Sequence, residues 1–288
     1  MPEGPKRAED YDPQTHGLAR AGLLHLATVF GDLLDDMLVV GGLVPGLIAP
    51  VPTDDAIIEA HVGTRDVDIA LSLALLDEER YTEIAKRLRR AGFEPDVNDR
   101  DHPTVQRWVL HAGWHVTVDF LIPPTASVEP GKIQHLGNGL GALVTRGLTD
   151  ADRTRVRMRL DGLTLNEEVA TRNVWVCGPA GFVILKALAF RNRGEGKDAY
   201  DLFYVIKHHA DRPEGVAATI ARLRASEPAE PEAIEDALRI LHEDFGDVDS
   251  VGPKRAGEFL SDGREAEVAA DVVAHVVALL REIERLAR

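Results

Sequence analysis

The chain has 288 residues, enough for two domains of moderate size with sizeable cores. Its 33 Lys and Arg against 48 Asp and Glu leave a net charge of −15, which argues against indiscriminate nucleic-acid binding but leaves room for a local basic surface. Cys177 has no second cysteine to pair with, the segment Met1 to Tyr11 lacks an apolar signal core, and no stretch approaches the ~20 apolar residues of a membrane span. The expectation is a cytoplasmic protein with no membrane partner.

In chain order, residues 1–15 are polar and predict a flexible tail. Leu23, Leu26, Ala27, Phe30 and Leu34 recur at helical spacing, so Leu18 to Leu34 predicts a helix with those residues inward. Met37–Val40 reads as a buried strand ending in Gly41-Gly42, a tight turn. A short helix follows Gly42 and ends near Ala49-Pro50. The stretch 43–63 holds Pro45, Pro50 and Pro52 and looks like an inserted loop, with Ala56–His61 open between strand and loop. Asp66–Leu71 alternates as a strand. Asp77–Ala91 predicts a helix, because acids open it, Lys86, Arg87, Arg89 and Arg90 close it, and Gly92 follows.

Phe93–Val97, Val105–His111 and His115–Ile122 then read as strands. Pro123-Pro124 breaks the pattern, and the Gly-rich stretch 125–150 predicts loop. Arg153–Leu160 and Asn173–Cys177 predict two more strands. From Pro179 the chain reads as helices over Pro179–Arg191, Asp198–His209, Pro213–Ala225, Pro231–Asp244 and Gly263–Arg288, three of them with proline at or near the start. The expected class is α+β, with a mixed β-sheet flanked by helices and a helical C-terminal domain. The expected division is a tail over 1–15, a catalytic domain over 16–125, a connecting segment with β-strands over 126–178 and a helical domain over 179–288.

The chemistry concentrates in Gly63-Thr64-Arg65-Asp66-Val67-Asp68. Residues two apart on a strand share a face, so Asp66 and Asp68 project side by side while Val67 and Ile69 point into a core. Adjacent anions repel unless a cation lies between them, and hard oxygen ligands suit Mg²⁺. On the strand His115–Ile122, Asp119 shares a face with Thr117 and Leu121 and is the third candidate; Asp99 and Asp101, in a polar turn, are the alternatives. Three carboxylates from two neighbouring strands would hold two metal ions roughly 3.5–4 Å apart. Glycines at 41 and 42 would let backbone N–H groups approach a phosphate, or simply make the turn.

The combination of Gly41-Gly42, Asp66-Val67-Asp68 and Asp119 resembles the nucleotidyltransferase superfamily of the DNA polymerase β type. The Thr-x-Asp-x-Asp form from Thr64 to Asp68 is most similar to the AbiEii-like toxin branch. A second block adds to that likeness: Leu185-Lys186-Ala187-Leu188-Ala189-Phe190-Arg191, then Lys197-Asp198-Ala199-Tyr200-Asp201-Leu202. The resemblance covers roughly residues 20–205. It departs at Leu43, where many members place Ser after the glycines, and in the long gap before Asp66.

The resemblance implies a nucleotidyltransferase that moves a nucleoside monophosphate from an NTP to an acceptor hydroxyl and releases pyrophosphate. Asp66, Asp68 and Asp119 would hold Mg²⁺, two ions during turnover. Gly41, Gly42, Thr64, Lys186 and Asp198 would surround the nucleotide, with Lys186 facing the triphosphate. It also implies a toxin role with tRNA as acceptor and a cognate antitoxin protein as partner.

Alternatives stay open in the residues themselves. Thr64 either braces the carboxylate strand or is a plain loop threonine. Lys186 either meets an anion or snorkels to a polar rim. Asp198 either orients Lys186 or the nucleotide, or serves its own helix's first turn. Arg153, Arg155, Arg157 and Arg159 would line one side of a strand and follow a nucleic-acid backbone, or form a solvated face. Arg191 and Arg193, at one helix end, would assist phosphate or tRNA. An antibiotic or protein side chain as acceptor, and a non-catalytic nucleotide-binding module, are the competing functions. No zinc-ligand spacing and no Gly-x-x-x-x-Gly-Lys-Ser/Thr occur.

Overall fold

A computed structural model describes residues 7–11, 13–49, 61–64, 66–71, 78–98, 100–111, 115–126, 128–210, 212–260 and 263–288, with 13–16 and 78 described by backbone alone. Helix α1 (Pro13–Phe30) buries Leu23, Leu26, Ala27 and Phe30, the stripe that its spacing predicts. It packs across one face of a mixed sheet, where Phe30 meets Phe120 edge-on at 6.4 Å. Strand β1 (Met37–Val40) is buried along its whole length and runs through the glycine turn into the short helix α2 (Val44–Ile48). Strand β2 (Asp66–Leu71) pairs antiparallel with β1.

Helix α3 (Glu78–Arg90) buries Tyr81, Ile84, Ala85 and Leu88 against the same core as α1. The strands β3 (Glu94–Val97), β4 (Pro103–His111) and β5 (His115–Ile122) follow. In the sheet the order is β3-β4-β5-β2-β1 and then two later strands, β9 (Val169–Val176) and β8 (Val156–Leu163). Strand β5 runs parallel to β2 on one edge. On its other edge β4 pairs with its first half, and β7 (Leu140–Val144), itself paired with β6 (Ile133–Gly137), pairs with its end.

The C-terminal region is helical: α5 (Pro179–Arg193), α6 (Gly196–His208), α7 (Arg212–Ala225), α8 (Pro231–Phe245), α9 (Val251–Leu260) and α10 (Glu265–Leu286). Helix α5 buries apolar side chains on more than one face because it is the wall between two cores. Phe182 joins the sheet's core, while Val183, Ile184, Ala187 and Phe190 join the helical one.

A reciprocal clasp ties the two regions at helix α4 (Leu148–Arg153). The carboxylate of Asp150 accepts hydrogen bonds from the N–H groups of Ala229 and Glu230 at the start of α8, at 2.8 and 2.7 Å. The carboxylate of Glu230 in turn accepts from the N–H groups of Gly147 and Thr149 at the start of α4, at 2.8 and 3.1 Å. Each acid thus satisfies backbone donors where the chain enters the other helix.

Several expectations need correction. One stretch, Gly17–Asp36, is long and apolar enough to cross a membrane by length and composition, with half of it buried inside the fold. Within the expected tail, Ala8–Asp10 forms a 3₁₀ turn, α1 starts at Pro13, and Tyr11 lies edge-on to Phe259 at 5.9 Å. Residues 125–150 are not mainly loop: they hold the β6–β7 hairpin and the start of α4. Arg153 is helical, and the strand begins three residues later, at Val156. Helix α9 falls in the stretch between Asp244 and Gly263 for which no element is expected; the buried side chains of Ala256 and Phe259 hold it. Asp77, Asp99 and residues 50–60 of the inserted stretch lie outside the described residues.

Candidate active site

The register sets the acidic row. Asp66 is opposite Thr117 and Asp68 is opposite Asp119 across the parallel β2–β5 pair, while Val40 is opposite Asp68 on the other side. All lie on the sheet face turned away from α1. Neighbouring strands are ~4.8 Å apart, so Asp68 and Asp119 are immediate neighbours. Asp101 is exposed in the turn between β3 and β4 and takes no part.

Each of the two outer acids has a resting partner. The hydroxyl of Thr117 donates to Asp66. The guanidinium of Arg107, cross-strand from Asp119 on β4, grips both carboxylate oxygens: Nε donates at 2.9 and 3.1 Å and Nη2 at 2.6 Å. Asp68 lies over the glycine turn. Burial, reinforced by the negative charges of Asp119 and Asp66, pushes its pKa up to about 7. Burial also raises Asp119, against the opposing pull of Arg107. Among the described residues no three acidic, imidazole or thiol groups converge as a closed ligand cluster, since Asp66 is turned to Thr117 and Asp119 to Arg107.

The glycines are dictated by this crowding. Gly41 has φ +70°, and a Cβ there would lie 1.9 Å from Oδ2 of Asp68. A Cβ on Gly42 would lie 2.8 Å from the Thr64 side chain and 3.4 Å from Nζ of Lys197. Thr64 is buried against that turn, and its hydroxyl accepts from the Asp66 N–H at 3.3 Å. Thr64 therefore does brace the entry to the carboxylate strand.

A second layer lies behind the turn, on α5 and α6. Lys186 donates to Asp198 at 2.8 Å and forms an ion pair with Asp201 at 2.7 Å. Lys197 donates to Asp201 at 2.8 Å, and Arg193 grips Asp198 with contacts of 2.7 to 3.1 Å. His61 completes the hub. Its Nδ1 accepts from the Gly63 N–H at 3.0 Å, so Nε2 carries the proton and donates to Asp201 at 2.8 Å. Burial disfavours the ammonium of Lys186, but Asp198 and Asp201 outweigh it and leave its pKa above the ordinary value. Burial likewise disfavours the Asp201 anion, yet Lys186, Lys197 and His61 hold its pKa well below the usual carboxylate range.

Asp68 of the acidic row and Lys186 and Arg193 of this layer line one cleft of about 690 Å³. Gly41, Gly42, Asp68, Lys186 and Arg193 line it near the sheet, and Arg146, Arg191 and Arg239 line it near α8. Its walls between are apolar, from Leu121, Leu143, Phe182, Leu185 and Ile240. The arginines are not bare charges: Arg146 pairs with Asp236 at 2.8 Å, and Arg191 with Glu243 and Asp244 at 2.8 and 2.7 Å.

The expected arginine row does not exist as such. Arg153 is at the end of α4 and donates to the carbonyls of Ser226 and Glu227. Arg155 precedes β8, bonds to Asp152 and to the Asp35 carbonyl, and stacks 4.3 Å from the Trp175 ring. Arg157 and Arg159 alone share the strand's outer side. The participants given no role from sequence are Arg107, His61, Lys197 and Asp201. Counting outward from the short connection between His111 and His115 pairs 107 with 119, a signal that fixing the turn would have supplied. His61 carries no such signal, because it lies at the end of an ambiguous stretch.

The chain matches no protein-family model, and no curated protein matches it.

Proposed function

We propose that the chain is a Mg²⁺-dependent nucleotidyltransferase, moving a nucleoside monophosphate from an NTP to an acceptor hydroxyl. The observation that carries this reading is the in-register opposition of Asp68 and Asp119 above the Gly41 turn, at one end of a cleft that Lys186 also lines. The donor set fits a hard divalent cation. Two crowded carboxylates disfavour each other's charge, and the flanking acid, Asp66, is one hydroxyl contact from rotating toward them. Asp68 and Asp119 would hold the ion, with Asp66 at its flank. Bound there, the cation would supply charge neutralisation at the reacting phosphate.

The chain's own residues do the rest. The glycine turn brings backbone close to the carboxylates without a side chain between. Lys186, with one ammonium hydrogen beyond its two carboxylate partners, is held rigidly beside the cleft by Asp198 and Asp201. The apolar walls exclude water around a bound base. By the resemblance noted above, the acceptor is the 3′ end of tRNA and the role that of a toxin countered by an antitoxin. Arg157, Arg159 and the rim arginines are the cations on hand for such an acceptor.

The test is incubation with each labelled NTP, Mg²⁺ and total tRNA. Label on RNA that disappears in Asp68→Ala supports the reading. Label on protein or on a small acceptor instead moves the acceptor class, and absence of any transfer with NTP binding retained leaves a nucleotide-binding module.

A further inference from the structure

The fork of Arg107 saturates the one carboxylate that the proposed cation site needs most. Asp119 faces Asp68 directly, and among the described residues it is the one member of the acidic row whose two oxygens both accept from a cationic side chain. Arg107 is itself partly exposed, at 39% of its side chain, whereas Asp119 is at 17%. The guanidinium therefore has a solvent side into which it can withdraw, while the carboxylate it leaves stays in place on β5. A planar fork on a carboxylate is the strongest geometry an arginine makes. The same oxygens cannot serve that fork and a divalent cation at full strength.

We propose that Arg107 is a built-in competitor for the divalent cation: it caps Asp119 when the site is empty of metal and must withdraw before the ion binds between Asp119 and Asp68. Bare cation then binds weakly, and the site stays balanced without one. The proposal rests on the nucleotidyltransferase reading for the location of the ion. It goes beyond that reading in assigning Arg107 to control of metal entry rather than to substrate.

Direct titration with Mn²⁺, followed by the electron paramagnetic resonance of the free ion in the absence of nucleotide, tests it on the full chain. Arg107→Gln removes both the charge and the fork, and should bind Mn²⁺ about tenfold more tightly than the unaltered protein, the worth of one charge-assisted contact. Arg107→Lys keeps the charge but not the fork and should fall between. Arg193→Gln, which removes a cation in the field of Asp68 without touching a ligand, should change affinity less than threefold. Equal or weaker binding in Arg107→Gln overturns the proposal, as does an equal gain in Arg193→Gln, which would reduce the effect to general electrostatics. If Arg107→Gln binds no tighter while labelled-NTP transfer still depends on Asp68, the competitor role falls and the enzyme reading stands. If no form binds Mn²⁺ with or without NTP, both fall.

Discussion

Replacing Asp201 with asparagine should destabilise the protein by about 3–5 kcal/mol, the cost of leaving buried cations without their counter-charge. Asp201 is fully buried and is shared by Lys186, Lys197 and His61. Lys186 would keep Asp198, but Lys197 would be left with no carboxylate in ion-pair contact among the described residues. Asparagine matches the size of the lost group, so no cavity adds to the cost. Urea unfolding followed by circular dichroism measures the loss. The matching fall in Tm is roughly 6–20 °C at about 2–4 °C per kcal/mol. Because the pairs are buried, 1 M NaCl should leave the loss nearly unchanged. Adding Lys197→Met should recover part of it, since the uncompensated ammonium is then gone. A loss below about 1 kcal/mol, or one abolished by salt, would refute the view of Asp201 as the hub of a buried charge network.

Further outcomes follow from the same geometry. Gly41→Ala should cost about 1–2 kcal/mol for its left-handed backbone and, by pushing the Asp68 carboxylate aside, reduce NTP transfer more than a hundredfold; unchanged transfer would show that Asp68 does not act from that position. Burial, with help from Lys207 and His275, pushes His208 down to about 4. The unfolded chain therefore binds this proton first, and the stability contributed by His208 is whole above pH ~6.5 and lost as pH falls toward 4. His208→Gln should flatten that part of the pH–stability curve, and parallel curves for the two proteins would count against it. Asp150→Ala should cost about 2 kcal/mol, because two backbone donors at the start of α8 lose their acceptor; differential unfolding in urea reads it, and a change within 0.5 kcal/mol would contradict the clasp.

The acidic row was legible because a strand's period of two is unambiguous when carboxylates interrupt an apolar run. Val67 and Ile69 went inward, and Asp66 and Asp68 outward, as the alternation requires. The position of Asp119 beside Asp68 needed the strand order, which no single strand encodes. The arginines at 153–159 misled for the opposite reason. Their alternation is real in the sequence, but the α4 turn consumes its first member, and Arg155 folds back onto Trp175. The β6–β7 hairpin was hidden by Gly131, Gly137, Gly139 and Gly141, which read as loop yet permit tight pairing beside β5. Lys186 within an apolar helix signalled that an anion must be near. Which anion it met, a pair of aspartates one helix on, follows only from how α5 packs on α6.

The clasp between Asp150 and Glu230 bears on how this protein can be dissected. Severing the polypeptide near residue 178 would leave Glu230 and the N–H groups of Ala229 and Glu230 in one fragment, and their partners Gly147, Thr149 and Asp150 in the other. It would also bare the sheet-facing side of α5, Phe182 included, to water. Neither piece would be expected to persist as a soluble body, so studies of the helical half are better served by point substitutions in the intact polypeptide than by truncation.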